Sequence, residues 1–261
     1  MKTVRPKKRL GQHFLNVPEI ARKIADTFDG QSVPNILEIG PGTGVLTQYL
    51  LTKKSALHLI ELDEESVAYL RVHFPNLAPN TFHADFLKFD LRTYFKGAPF
   101  AVMGNFPYNI STQIVFKVLD HRDQIPFFSG MFQKEVAQRI CEGPGNKSYG
   151  ILSVLTQIFY EVSYCFSVPP QVFVPPPKVE SGVLTMKRKK NYEPDCDVPL
   201  LFKLVKTSFQ QRRKTLRNSL KSLGLPKNLT EDSIFELRPE KLSGTQFVEL
   251  AQKIAHGHLS D

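Results

Sequence analysis

The sequence predicts an α/β fold, a mostly parallel sheet with an antiparallel edge, followed by a small all-helical C-terminal domain. Three observations carry that expectation. Short apolar runs alternate with segments of helical period between Asn35 and Glu142; a glycine-rich turn follows the first of those runs; and after Lys190 strand signals stop while helical periodicity continues. Alternation of this kind marks a parallel sheet covered on both faces.

In order along the chain, Asn16-Val17-Pro18-Glu19 has the form of a capping box, and Ile20, Ala21, Ile24, Ala25 and Phe28 then repeat at helical spacing. Asn35 to Ile39 reads as a strand, the turn through Gly44 opens a helix from Val45 to Thr52, and Ala56 to Ile60 is a second strand. A helix is expected over Glu64–Phe74 with Asp63 as its cap. Strands follow at Thr81–Ala84, Phe100–Met103 and Phe127–Phe132, then helices at Glu135–Glu142 and Tyr149–Val162. Tyr164–Val168 and Ser181–Met186 are expected to close the sheet at its antiparallel edge. Between them lies Pro175-Pro176-Pro177, which can neither continue a helix nor donate ladder bonds. The composition shift near residues 187–195 divides the chain into a domain over 1–188, with a basic N-terminal arm, and a basic helical domain over 189–261.

With 261 residues, 41% of them hydrophobic, the chain is long enough for a real core, and no apolar run approaches the ~18 residues of a membrane span. The basic N-terminus is followed by no apolar stretch of the secretory kind, so a cytoplasmic protein is expected. Cys141, Cys165 and Cys196 are far apart with no C-x-x-C, which argues against a disulfide framework and against a metal site. The net charge of +9 is segregated. Lys2, Arg5, Lys7, Lys8 and Arg9 have no acid among them. From Pro199 to Thr230 come Lys203, Lys206, Arg212, Arg213, Lys214, Arg217, Lys221 and Lys227, again without Asp or Glu. Such segregation suggests a polyanionic partner, with Lys7, Lys8, Arg9, Arg212, Arg213, Lys214 and Arg217 as candidate phosphate contacts.

Glu38-Ile39-Gly40-Pro41-Gly42-Thr43-Gly44 sits between a strand and a helix, where doubly wound sheets bind nucleotides. Gly40 and Gly42 let backbone approach a ligand closely. A dinucleotide fingerprint would need glycine at 45, where Val45 stands, which disfavours a nicotinamide enzyme. The G-x-G-x-G spacing instead resembles the first motif of S-adenosylmethionine-dependent methyltransferases. Glu61 after the second strand can accept ribose hydroxyls, and Asp85 after the third can accept an adenine amine with Phe86 beside the ring. The fourth strand then runs into Gly104-Asn105-Phe106-Pro107-Tyr108-Asn109-Ile110-Ser111 on the same edge.

Asn-Phe-Pro-Tyr resembles the catalytic motif of methyltransferases that act on exocyclic amino nitrogens. An aromatic amine is a poor nucleophile because its lone pair is delocalised. The Asn105 side-chain oxygen and the Phe106 carbonyl, fixed by Pro107, can each accept one N–H and turn the lone pair outward, while Tyr108 offers a stacking face.

Together with Arg9-Leu10-Gly11-Gln12-His13-Phe14-Leu15-Asn16, Phe173-Val174-Pro175-Pro176-Pro177-Lys178-Val179-Glu180-Ser181 and Phe209 to Asn218, these motifs resemble the KsgA/RsmA family of small-subunit rRNA adenine N6,N6-dimethyltransferases. The resemblance spans nearly the whole chain. It implies a Rossmann-like class I methyltransferase domain with a small helical C-terminal domain that docks on rRNA. It implies dimethylation of two adjacent adenosines in the 3'-terminal hairpin of 16S rRNA, on an immature 30S subunit late in its biogenesis, by a monomer. Carried over by motif, His13, Leu15, Gly40, Gly42, Glu61, Asp85 and Asn105 would bind the cofactor, and Phe173 would stack on the target base opposite Tyr108. Phe106 stands where leucine is commonest. Two alternatives share this chemistry or this partner: an Erm-type 23S rRNA adenine methyltransferase, and an assembly factor whose binding outweighs its catalysis.

Overall fold

The computed structural model describes residues 4–257, so Lys2 of the basic arm lies outside the described residues. The chain begins with a 3-10 turn over Lys8–Leu10 and a two-residue strand, β1 (Phe14–Leu15). Helix α1 (Pro18–Asp26) is entered through Val17, with Pro18 at its first position, where a missing N–H costs nothing. The capping box expected from Asn16 does not form: the Asn16 N–H is given to the Val172 carbonyl at 2.8 Å, continuing the pairing of β1.

There follow β2 (Asn35–Ile39), α2 (Thr47–Leu50), β3 (Ala56–Glu61), α3 (Glu64–His73), β4 (Thr81–His83), α4 (Leu91–Phe95), β5 (Phe100–Asn105), α5 (Ser111–Asp120), β6 (Phe127–Gln133) and α6 (Lys134–Cys141). Asp63 caps α3 by accepting the Ser66 N–H, as its position in the sequence suggests. Hydrophobic periodicity in the sequence marks neither α4 nor α5. The chain continues through α7 (Ile151–Phe159), β7 (Tyr160–Val168), β8 (Phe173–Val174), β9 (Ser181–Arg188), α8 (Val198–Gln210), α9 (Leu216–Ser219), α10 (Lys227–Thr230) and α11 (Gly244–Gly257).

Seven strands form one sheet in the order β4-β3-β2-β5-β6-β9-β7, parallel from β4 to β6, with β9 antiparallel to β6. The fold is thus α/β, a mostly parallel sheet with an antiparallel edge. The central strands are apolar throughout because both faces are covered: Ile36, Leu37, Leu59, Val102 and Phe127 are fully buried. From β2 the order runs to β3 and β4 on one side and to β5 and β6 on the other. The carboxyl ends of β2 and β5 therefore flank the switch point, where such sheets open a ligand crevice. β1 and β8 make a separate antiparallel pair, Phe14 opposite Val174 and Leu15 opposite Phe173.

The chain divides into two compact units, one comprising the residues up to Ala137 with Val162–Arg188, the other Gln138–Glu161 with the chain from Lys189 onward. The composition-based division at 188/189 leaves Gln138–Glu161 with the first domain, whereas the structure groups this stretch with the second unit. The elements wholly inside the second unit are helical. Leu201, Leu204, Val205, Phe247, Leu250, Ala251 and Ile254 are its buried apolar positions on α8 and α11, and the Phe209 ring meets Tyr149 at 6.3 Å and Phe247 at 6.2 Å.

Candidate active site

One cavity collects the ends of four parallel strands. Ile39, Gly40 and Gly42 reach it from β2, Ile60, Glu61 and Leu62 from β3, Ala84 to Leu87 from β4, and Asn105 to Ile110 from β5. Leu10 to Phe14 of the N-terminal segment complete its wall. Of the predicted site residues, His13, Gly40, Gly42, Glu61, Asp85, Asn105, Phe106, Pro107 and Tyr108 line this single cavity. Leu15 does not; it is buried and borders a small adjoining cavity with Glu38, Gly40, Gly42 and Asn105.

Glu61 is nearly buried, and each of its oxygens holds one backbone N–H: Oε2 accepts from Gly42 at 3.0 Å and Oε1 from Asp63 at 2.9 Å. Burial raises its pKa, against which those two bonds work. A carboxylate has about four acceptor sites, so two remain for hydroxyls. Asp85 is half-buried and accepts the Leu87 N–H at Oδ1, 2.9 Å. Leu62, 49% exposed, and buried Phe86 supply apolar surface between these two acids.

Asn105 donates from Nδ2 to the His13 carbonyl at 3.0 Å. That bond leaves Oδ1 as the acceptor of the amide. His13 in turn donates from Nδ1 to the Pro175 carbonyl at 2.7 Å, and its ring stacks on Tyr108 with centroids 5.5 Å apart. The Tyr108 hydroxyl bonds to Ser181 Oγ at 2.6 Å, and burial raises the phenol's pKa so that it stays neutral. Gly11 makes this closure possible: its φ is +64°, and a Cβ there would lie 2.7 Å from Asn109 Oδ1.

Phe106 turns its ring away from the cavity into the core, stacked on Phe128 with centroids 5.1 Å apart and tilted against Phe132 at 5.2 Å. The ring fits because Gly130 has no side chain; a Cβ there would come within 2.1 Å of Phe106 Cε2. Phe173 is also a core residue, 2% exposed, packed in the cluster that holds Leu15, Ile24 and Val183. It lies outside the cavity lining, so the base-stacking expectation for Phe173 has no support in this geometry: its pairing opposite Leu15 turns the ring inward. Val174 beside it is the exposed residue.

The candidate phosphate contacts differ in their freedom. Lys7 is committed to an ion pair with Asp63 and, at 3.2 Å, to Glu65. Lys8 and Arg9 are exposed. Arg212 bonds the Asn146 carbonyl and Arg217 pairs with Glu236, whereas Arg213 and Lys214 are exposed and have no ion-pair partner among the described residues. Arg212, Arg213, Lys214 and Arg217 do not share one helical flank. α8 stops at Gln210, Arg212 to Lys214 lie in a turn, and the Leu216 N–H is drawn to the Leu237 carbonyl at 2.8 Å.

A family model described as ribosomal RNA adenine dimethylase matches residues 4–254. This chain belongs to that family. The dimethylase is 57% identical over 254 residues to ribosomal RNA small subunit methyltransferase A of Flavobacterium johnsoniae, covering 97% of each chain. It is 56% identical over 261 residues to the protein of that name from Parabacteroides distasonis, covering 99% of this chain and 97% of the other. Among solved structures it is similar to a dimethyladenosine transferase from Plasmodium falciparum, with TM-score 0.80 and 25% identity over 94% of this chain and 98% of that one. The 23S rRNA methyltransferase ErmE shares the fold, with TM-score 0.69 and 24% identity over 92% and 99% of the two chains. The dimethylase is a methyltransferase whose methyl donor is S-adenosylmethionine. The residues present fit that donor: two carboxylates with acceptor sites to spare, apolar surface between them and an amide oxygen beside them.

Sequence reasoning did not single out Leu62, Ser181 or the buried acid Glu38 as functional. Glu38 and Ser181 stand at the edges of recognised motifs that assign them no role, and Leu62 carries no local signal; each matters through what the fold brings to it. Among the described residues no helix is long and apolar enough to cross a membrane.

Proposed function

We propose that this dimethylase places two methyl groups on N6 of each of two adjacent adenosines in the 3'-terminal hairpin of 16S rRNA. It acts as a monomer on the immature 30S subunit, in the cytoplasm, late in subunit biogenesis. The observation that carries the reading is the Asn105 amide. With Nδ2 spent on the His13 carbonyl, Oδ1 is a fixed acceptor on the cavity wall shared with Tyr108, Glu61 and Asp85.

S-adenosylmethionine would supply an electrophilic methyl on a sulfonium, whose sulfur leaves with the C–S electron pair as a neutral thioether. The chain's own residues do the rest. Glu61 offers its spare acceptor sites to hydroxyls, and Asp85 its free oxygen to an amine. Asn105 Oδ1 and the Phe106 carbonyl accept the two N–H groups of the target amine, which directs the nitrogen lone pair outward. Tyr108, held by Ser181, presents its ring to a base taken out of its stack, a contact worth ~1–3 kcal/mol. Positioning of this kind can account for much of the acceleration in such a displacement, and no side chain has to remove a proton before transfer.

Incubation with labelled S-adenosylmethionine and, side by side, undermethylated 30S subunits, naked 16S rRNA and 23S rRNA tests the proposal. Label is expected in the 16S hairpin of the 30S subunits, with N6,N6-dimethyladenosine as the product. Comparable incorporation into 23S rRNA would overturn it in favour of an Erm-type activity.

A further inference from the structure

Lys117 lies on α5, six residues beyond Ser111, the residue that ends the Asn-Phe-Pro-Tyr stretch and starts the helix. Its Nζ donates to the carbonyls of Phe86 at 2.6 Å, Leu87 at 3.1 Å and Phe89 at 2.6 Å, and lies 5.0 Å from the centre of the Phe86 ring. An ammonium has three donors, so all three are used, each on the backbone of the same loop. The other end of that loop closes on Asp85. The Leu87 N–H goes to Asp85 Oδ1, and the N–H groups of Lys88 and Phe89 go to the Asp85 carbonyl, both at 3.0 Å. The loop thus has its amides gathered on Asp85 and its carbonyls gathered on Lys117.

The arrangement is costly as mere scaffolding. Lys117 is half-buried, and burial pulls its pKa down, with Asp85 and Asp90 acting only as more distant opposing charges. An apolar side chain on α5 would fill the same space without desolvating a cation. What an apolar side chain could not do is fix three carbonyls at once.

We propose that Lys117 is a positioning residue for the cofactor. It holds the Asp85–Phe89 loop so that Asp85 and Phe86 face the cavity, and it ties that loop to the helix that follows the catalytic stretch. The inference rests on the assignment of Asp85 to the adenosine end of the cofactor, and the test separates the two.

Calorimetry measures the binding of S-adenosylmethionine and of 5'-methylthioadenosine, which lacks the amino-acid end, to the full-length wild type, K117M, K117R, D85N and the double variant K117M/D85N. Thermal unfolding and steady-state kinetics on 30S subunits accompany it. K117M is expected to weaken both ligands by the same factor, about tenfold, and the double variant to be little weaker than D85N, since the two residues act through one loop. KM for S-adenosylmethionine should rise in step, with kcat at saturation within about threefold of the wild type. K117R should not rescue, because a planar guanidinium cannot converge on three carbonyls of one turn; it also carries the test if K117M fails to fold. If folded K117M and K117R bind both ligands as the wild type does, whatever their thermal stability, Lys117 is structural only and the proposal falls. If D85N itself binds both ligands normally, the assignment of Asp85 falls, and the inference with it.

Discussion

Glu38 is almost completely buried, and its carboxyl accepts one hydrogen bond, from Thr47 Oγ1 at 2.7 Å. Burial, with the nearby Glu61 charge adding to it, pushes its pKa up to about 8. The sign follows from linkage. In the unfolded chain Glu38 ionises near the ordinary glutamate value of about 4.3, while in the folded chain it keeps its proton to about pH 8. Between those values the native state binds more protons, so stability falls as pH rises through that window and levels off above it. Glu38→Gln keeps an acceptor for Thr47 and removes the titration. Its melting temperature should match the wild type near pH 4.5 and exceed it by a growing margin up to pH 8. A constant difference across that range would show that Glu38 is ionised in the native state. The sequence displays Glu38 only as the residue ahead of a glycine turn; its burial comes from β3 and β5 on either side, which no local pattern reveals. The same holds for Phe106, whose tolerance in place of leucine depends on Gly130, a residue of the neighbouring strand.

At the scale of elements, the four strand ends and the glycine turn were legible because each carries a local sign: an apolar run, then a polar or glycine residue. The pairing of β1 with β8 was not, since it joins two-residue strands more than 150 residues apart and neither has a period to read. That pairing decides Phe173. The aromatic ahead of a proline run invites a role at the surface, yet the register opposite Leu15 buries it and exposes Val174. Phe173→Ala should therefore act on stability, at about 3–5 kcal/mol by denaturant unfolding, the cost of emptying a packed aromatic site. Loss of methyl transfer with unchanged stability would restore the stacking role. Helix α5 was missed for a related reason. It starts directly out of the Asn-Phe-Pro-Tyr stretch at Ile110, with no side-chain cap to mark its beginning, and Lys117 is hidden with it.

Across the molecule, charge segregation suggests a polyanionic partner, but counting cations cannot tell which are free. Lys7 is neutralised locally by Asp63 and Glu65, and Arg217 by Glu236, while Arg213 and Lys214 stand exposed in the turn after α8. Only cations that displace counterions from phosphate contribute to the salt dependence of binding, each by roughly one unit of slope in a plot of log affinity against log salt. The paired and unpaired sets therefore make opposite predictions for binding to undermethylated 30S subunits. Arg213→Glu with Lys214→Glu should weaken binding at low salt and flatten the slope by about 2. Lys7→Gln should leave the slope where it was and weaken S-adenosylmethionine instead, because the segment it fastens carries Leu10 to Phe14 of the cavity wall. A slope that falls for Lys7→Gln but not for the double reversal would mean that the ion pair opens on the ribosome and that the N-terminal arm supplies the phosphate contacts.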